Sequence, residues 1–127
     1  MLKYFTESGG WVAGVLGELG VPIHDVSYNY RMIDYAPVSG NCQPHRDFGL
    51  LTLVQQNGVS GLMVEQGDTM LRVPGHCSLL LAGWCLHLLT NGRVPAPLHM
   101  VTAPTLRRLS CVTFLAPAKA SILLINC

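Results

Sequence analysis

Over the first twenty residues the apolar side chains Phe5, Val12, Val15, Leu16 and Leu19 recur at spacings near three and four, and the run stops at Gly20 with Pro22 just beyond. This pattern predicts one amphipathic helix over about residues 4–20. Gly9-Gly10, Gly14 and Gly17 weaken its intrinsic preference for that state. After Pro22 the texture changes to short apolar runs separated by turn residues. The runs Tyr28 to Tyr35, Leu50 to Val54, Gly61 to Glu65, Leu71 to Val73, Ser78 to Ala82, Leu98 to Thr102 and Leu109 to Leu115 read as strands. Pro37, Gly40, Asn57-Gly58, Gly67-Asp68, Pro74-Gly75, Asn91-Gly92, Pro95, Pro97 and Pro104 supply the breaks. Strands at such regular intervals predict an all-β sandwich or barrel, with no repeated unit and no low-complexity linker.

Composition narrows this picture. A chain of 127 residues supports one domain and a buried core without staples. Apolar residues make up 50% and charged residues 12%, about half the usual charged share, so disorder is excluded and part of the surface is expected to be apolar. A second copy of the chain, or a missing segment of the same protein, is the expected cover. The net charge of +1 and a single adjacent basic pair, Arg107-Arg108, give no electrostatic footprint for nucleic acid. The longest apolar stretch, Leu79 to Leu89, is too short to span a bilayer, and no secretory signal is visible, so a cytoplasmic chain is expected. Five cysteines without a CxxC pair are expected to be reduced thiols.

Candidate chemistry begins at His45 and Asp47 in HRDFGLLTL. On a strand, side chains at i and i+2 share a face, so an imidazole and a carboxylate could address one ion. His99 opens the run LHMVTAP, 52 positions beyond Asp47, where a distant strand could return it to the first two. Two imidazoles and a carboxylate on one face of a metal leave three positions open, as an oxygen-activating Fe(II) site requires. Nine positions after His99 come Arg108 and Ser110, again on one strand face, a pairing suited to binding a carboxylate. An Arg buried for structural reasons alone would need one of only seven acids as partner. His24, His76 and His87 are assigned to turns or strand edges, and Cys42, three residues before His45, reads as a small half-buried residue.

The order His-x-Asp, about fifty residues, His, then Arg-x-Ser, with HRDFGLLTLVQQ, GLMV, LTNGRVPAPLHMV and RRLSCVTFLAP, resembles the catalytic core of the Fe(II)/2-oxoglutarate-dependent dioxygenases of the isopenicillin N synthase-like group. The likeness runs from about Leu16 to Pro117. It implies a double-stranded β-helix, or jelly roll, over about residues 26–118, with the short N-terminal helix before it, as a single unit spanning 1–127. By the same resemblance His45, Asp47 and His99 would be the catalytic iron ligands, Arg108 and Ser110 would hold the distal carboxylate of 2-oxoglutarate, and Tyr35 would lie near it. The implied cofactors are Fe(II), 2-oxoglutarate and O₂, with ascorbate as a candidate reductant. The implied reaction is oxidation of a small organic molecule by hydroxylation, desaturation or cyclisation, with 2-oxoglutarate converted to succinate and CO₂. Thr90 and Asn91 are candidates to support a ligand, in competition with a hairpin reading of Asn91-Gly92.

The chain also departs from the family pattern. Trp84 stands where an acidic residue is usual, Leu71 where an aromatic is, and Met100 where an arginine follows the distal histidine. The family's large N-terminal helical region is expected to be missing, and ASILLINC is short where a covering helix is usual. A non-catalytic jelly-roll fragment or binding module therefore stands beside the leading reading, as does an iron oxidase of the isopenicillin N synthase type that needs no 2-oxoglutarate, because that enzyme shares the triad and the Arg-x-Ser pair. A zinc hydrolase lacks an evident general base.

Overall fold

A computed structural model of the chain describes residues 14, 16–20 and 26–118. Eight strands run in order as β1 (Val26–Tyr35), β2 (Cys42–His45), β3 (Leu51–Gln56), β4 (Leu62–Gln66), β5 (Thr69–Arg72), β6 (Leu79–Ala82), β7 (His99–Val101) and β8 (Arg108–Pro117). One helix, α1 (Trp84–Leu89), separates β6 from β7. Two four-stranded sheets form, with orders β1-β8-β3-β6 and β2-β7-β4-β5, and every recorded pairing is antiparallel. This is the all-β sandwich expected from the strand pattern, in the jelly-roll form that the family resemblance implied. Of the predicted N-terminal helix, residues 14 and 16–18 are helical, and the remainder lies outside the described residues.

The alternation within β8 decides where the site sits. Arg108, Ser110, Val112 and Phe114 face the second sheet, while Leu109, Cys111, Thr113 and Leu115 face away. Between the sheets Tyr35, Val54, Leu62, Val73, Leu81, Val101 and Val112 form one apolar cluster. On the outer side Leu51 and Leu115 pack with Leu16, Leu50, Cys85 and Leu86 into another. β8 is thus covered on both faces, which is why RLSCVTFLAP is apolar almost throughout instead of alternating with polar residues. Elsewhere the surface keeps large apolar side chains, including Met32 and Phe48 at 70% exposure.

Two elements depart from the sequence reading. β2 (CQPH) is not among the runs read as strands; it contains a proline and is an edge strand of its sheet, where a missing N–H breaks no ladder. α1 occupies part of the apolar stretch Leu79 to Leu89 and carries no side-chain N-cap. Backbone carbonyls of the preceding loop take that place: Trp84 N–H donates to Asp47 O at 2.7 Å, and Cys85 N–H to Phe48 O and Gly49 O at 3.0 and 3.1 Å. The contact is close enough that a Cβ at Gly83 would overlap the Gly49 carbonyl. At the other end Asn91 (φ 52°) and Gly92 (φ 79°) close α1 in left-handed geometry, so this pair ends a helix and does not make a hairpin. Among the described residues no helix is long and apolar enough to cross a membrane.

Candidate metal and carboxylate site

β2 and β7 bring two of the candidate donors together, since His45 at the end of β2 is registered opposite His99 at the start of β7. Asp47 lies in the loop after β2, so the strand-face argument for His45 and Asp47 is corrected. The loop holds the carboxylate, pinned by the α1 amide that binds the Asp47 carbonyl. Asp47 Oδ1 stands 3.3 Å from His45 Nε2 and 3.4 Å from His99 Nε2. One donor atom from each of the three lies within 4.8 Å of the others, an arrangement able to hold a metal ion. The far nitrogens face carbonyls: His45 Nδ1 is 2.8 Å from Gln43 O and His99 Nδ1 is 3.3 Å from Pro97 O. A carbonyl only accepts, so each Nδ1 carries a proton and Nε2 is the nitrogen turned to the site; His99 Nε2 donates to Asp47 while no metal is bound and would give up that proton to a metal ion.

The electrostatics agree. Burial, the largest influence on Asp47, pushes its carboxyl up, but hydrogen bonds from His99 and Thr52 and the charges of both imidazoles outweigh it and hold the pKa below the ordinary value. For His99 burial pushes down and the Asp47 bond and charge, with Pro97, overcome it, leaving the pKa raised. Asp47 Oδ2 is buried with no partner. Thr52, buried in β3, escaped the sequence reading; a single hydroxyl inside LLTLV was its only signal.

At the other end of the same cavity, β1 and β8 place Tyr35 opposite Arg108 and Ile33 opposite Ser110. Arg108 is 0% exposed. Its Nη2 donates to Gln56 Oε1 at 3.0 Å, whereas Nε and Nη1 are buried without partners. The guanidinium carbon sits 5.0 Å from the centre of the Tyr35 ring. Burial pulls the Arg108 pKa down, with the neighbouring Tyr35 opposing, and burial also raises the Tyr35 phenol. Gln56, also missed by sequence reasoning, is fixed by donating to Cys77 O at 2.8 Å and Pro74 O at 3.2 Å, so it aims a rigid acceptor at the arginine. Gly61 makes room for the arginine stem, since a Cβ there would lie 3.2 Å from Arg108 Cδ.

All six singled-out residues, Tyr35, His45, Asp47, His99, Arg108 and Ser110, line this one cavity. About 60 Å³ of it is open to water-sized occupants. His45 is its solvent-facing donor, with a side chain 42% exposed. Cys42 joins the lining, its Sγ 3.7 Å from His45 Nδ1, the nitrogen turned away from the triad. The other two histidines among the described residues stay apart. His76 lies in an exposed turn, and His24 is outside the described residues. His87 belongs to α1 and not to a turn or strand edge, stacking on Trp84 at 4.6 Å and bonding Val94 O at 3.0 Å. Thr90 Oγ1 closes the end of α1 by donating to Leu86 O at 2.9 Å, so the expectation that it supports a ligand gives way to a capping role.

Comparison with known proteins agrees with this arrangement. The family profile of the 2OG-Fe(II) oxygenase superfamily matches residues 23–117. The 2-oxoglutarate-dependent dioxygenase 19 of Oryza sativa subsp. japonica is 40% identical over 81 residues, covering 61% of this chain and 24% of that protein. Deacetoxycephalosporin C hydroxylase of Streptomyces clavuligerus is 28% identical over 115 residues, covering 78% of this chain and 36% of that protein. The crystal structure of a rice dioxygenase for auxin oxidation superposes with a TM-score of 0.68 at 30% identity, over 84% of this chain and 42% of that one. The chain therefore spans well under half the length of these relatives. With the profile matched over most of its length, the chain belongs to the 2OG-Fe(II) oxygenase superfamily.

Proposed function

We propose that this chain carries the catalytic core of an Fe(II)/2-oxoglutarate-dependent oxygenase, acting on a small organic molecule. The observation that carries the reading is the pairing, in one cavity, of two sets of orphaned polar atoms. Asp47 Oδ2 lies beside two imidazoles at one end, and Arg108 Nε and Nη1 lie at the other. Buried polar groups left without partners cost on the order of 1–3 kcal/mol each, and more when charged, so the fold holds them for a ligand. A divalent cation fits the first set, since a carboxylate and two neutral imidazoles are hard or borderline donors suited to Fe(II). A carboxylate fits the second, since a guanidinium offers paired N–H donors and Ser110 can add a hydroxyl.

In this reading His45, Asp47 and His99 hold the metal, and Arg108 with Ser110 holds the distal carboxylate of 2-oxoglutarate. Bound iron with the keto acid and O₂ supplies the oxidising power, consuming 2-oxoglutarate to succinate and CO₂. The chain's own residues orient and exclude. Gln43 and Pro97 carbonyls fix the imidazole tautomers, and Thr52 steadies the Asp47 carboxylate. Gln56 and the Tyr35 ring hold the guanidinium flat for a carboxylate. Ile33, Val54, Leu62, Val101, Val112 and Phe114 line the remaining cavity wall with apolar surface that keeps water from competing. Arg108 and Ser110 would bind a carboxylate in a keto-acid-independent oxidase as well, so the dependence of O₂ uptake on 2-oxoglutarate is what separates the two.

Anaerobic titration of the chain with Fe(II) and then 2-oxoglutarate tests the proposal. A saturable, weak visible band near one iron per chain is expected, followed on aeration by O₂ uptake and succinate formation that require 2-oxoglutarate. A folded chain that binds iron without ever giving that band overturns the cosubstrate assignment, and one that binds no iron overturns the proposal outright.

A further inference from the structure

The three donors come from places that the backbone ties together weakly. β2 and β7 share only two registered pairs, Cys42 with Val101 and His45 with His99, and the register shifts between them. Asp47 has already left the strand. β7 itself is three residues long. A side-chain network crosses at this spot. Arg46, between His45 and Asp47, extends over the residues that lead into His99: its Nη1 donates to the Ala96 carbonyl and, at 2.9 Å, to Glu65 Oε2. The same Glu65 oxygen accepts the Leu98 amide at 2.9 Å, while the Glu65 amide donates to Leu98 O at 2.8 Å. Glu65 stands on β4, one residue beyond Val64, which is registered with His99. One carboxylate thus ties the loop holding Asp47, the segment entering β7 and the strand that flanks it.

We propose that Arg46 and Glu65 are positioning residues, a strap that sets the separation of His45, Asp47 and His99 before a metal arrives. The proposal rests on the metal reading of those three residues. Neither member of the strap reaches the donor atoms. Each acts through a neighbour in sequence: Arg46 through the two ligands that flank it, Glu65 through Leu98, which precedes the third. The other ion pair of the described residues that involves an arginine, Arg107 with Asp34, is bidentate and also exposed, but it joins β1 to the residue before β8, and neither carries one of the three donors. A surface ion pair by itself contributes little. The value of the strap lies in where it is anchored, because three donors must be held to within about 0.5 Å of the geometry a metal requires.

The test is anaerobic Fe(II) titration of the unaltered chain and of the variants Glu65→Gln, Arg46→Gln and the double variant, with the fold of each checked by far-UV circular dichroism. Glu65→Gln keeps an acceptor for the Leu98 amide, so it removes the charge without emptying the strand end. Each single variant is expected to raise the Fe(II) dissociation constant by about tenfold or more, the range over which groups behind metal ligands act. The double variant should be no worse than the weaker-binding single one, because either change alone removes the charge pair that fastens the strap. Arg107→Gln serves as the control and should leave the constant unmoved. A folded Glu65→Gln or Arg46→Gln chain that binds Fe(II) as tightly as the original, even at a lower melting temperature, makes the pair merely structural and overturns the proposal. If the unaltered chain binds no Fe(II), the metal reading falls and the strap falls with it. Binding by the original with equal binding by the variants sinks the strap alone.

Discussion

The two ends of the cavity solve the same problem with opposite architecture. At the triad end, the donors stand on an edge strand, a loop and a three-residue strand, and one of them faces solvent. At the arginine end, Arg108 and Ser110 sit on a central strand paired on both sides, β1 on one flank and β3 on the other, and both are buried. The first end is made of pieces that meet late in the chain and are then fastened, by the α1 amides behind Asp47 and by side chains around it. The second needs no fastening, because a ten-residue ladder already fixes it. The difference matches what each end would bind. A metal ion enters from water and displaces weak contacts between its own ligands, while a carboxylate must find a charge already stripped of solvent.

The comparison is broken most directly at the triad. Asp47→Ala should reduce Fe(II) affinity by well over about 100-fold, beyond the range seen for groups behind a ligand, in an anaerobic titration. Arg108→Met should leave that affinity intact and weaken 2-oxoglutarate by about 100-fold, the loss of two charge-assisted hydrogen bonds. The two substitutions should also diverge in stability. Replacing an arginine that has two unmatched buried N–H groups by an apolar side chain of similar length should leave the empty chain as stable or more stable by about 1 kcal/mol, read by urea unfolding. Equal loss of metal in both variants would make Arg108 part of the scaffold of the triad and erase the distinction between the ends.

How much of this was legible beforehand follows the same division. Strands β1, β3, β4, β5, β6, β7 and β8 stood out because each pairs an apolar run with Gly, Pro or Asn punctuation. Arg108 and Ser110 were legible as one strand face, since the strand geometry that carries them is regular. β2 was missed because CQPH is four residues long with no apolar run, and its proline is tolerated only at a sheet edge, a fact of tertiary context. α1 was hidden because its first amides are satisfied by carbonyls of residues 47–49 and no side-chain cap announces it. The spacing of His45 and Asp47 led to the correct pair through the wrong local geometry, a strand where the chain forms a loop. Thr52, Gln56, Arg46 and Glu65 were invisible because polar residues gain meaning here only from what lies across the sandwich.

Metal removal gives a smaller and pH-dependent contrast. Saturating the triad at about 100 times the dissociation constant should stabilise the chain by about 2.7 kcal/mol, lost on chelation and visible as a drop in melting temperature. Without metal, the Asp47–His99 attraction acts in its place. Asp47 is lowered from an ordinary 3.8, so its contribution is present above that value and is lost as pH falls through the lowered one. His99 is raised from an ordinary 6.5, so its contribution is full below 6.5 and is lost as pH rises through the raised one. The metal-free chain should therefore gain most from this pair between about pH 4 and 6.5 and lose that gain above it. The metal-bound chain should move the other way, because protons leave His99 free for the ion as pH rises. Parallel pH profiles for the two forms would place the metal elsewhere.

The smallest effects should come from the two hydroxyls beside Arg108, and they sharpen the comparison by asking whether the arginine end works as a set or as one charge. Ser110→Ala removes a donor on the arginine's own strand face, and a hydrogen bond to a carboxylate of about 1–1.5 kcal/mol predicts a roughly five- to tenfold weaker 2-oxoglutarate. Tyr35→Phe keeps the ring that lies 5.0 Å from the guanidinium carbon and deletes only the phenol, whose raised pKa keeps it neutral. If the ring face is what steadies Arg108, the affinity for 2-oxoglutarate should change by less than about threefold, whereas Tyr35→Leu should cost more. Isothermal titration with 2-oxoglutarate on the metal-loaded chain separates these cases. A Tyr35→Phe loss as large as that of Ser110→Ala would show that the phenol itself binds the carboxylate, giving this end three polar contacts to match the three donors at the other.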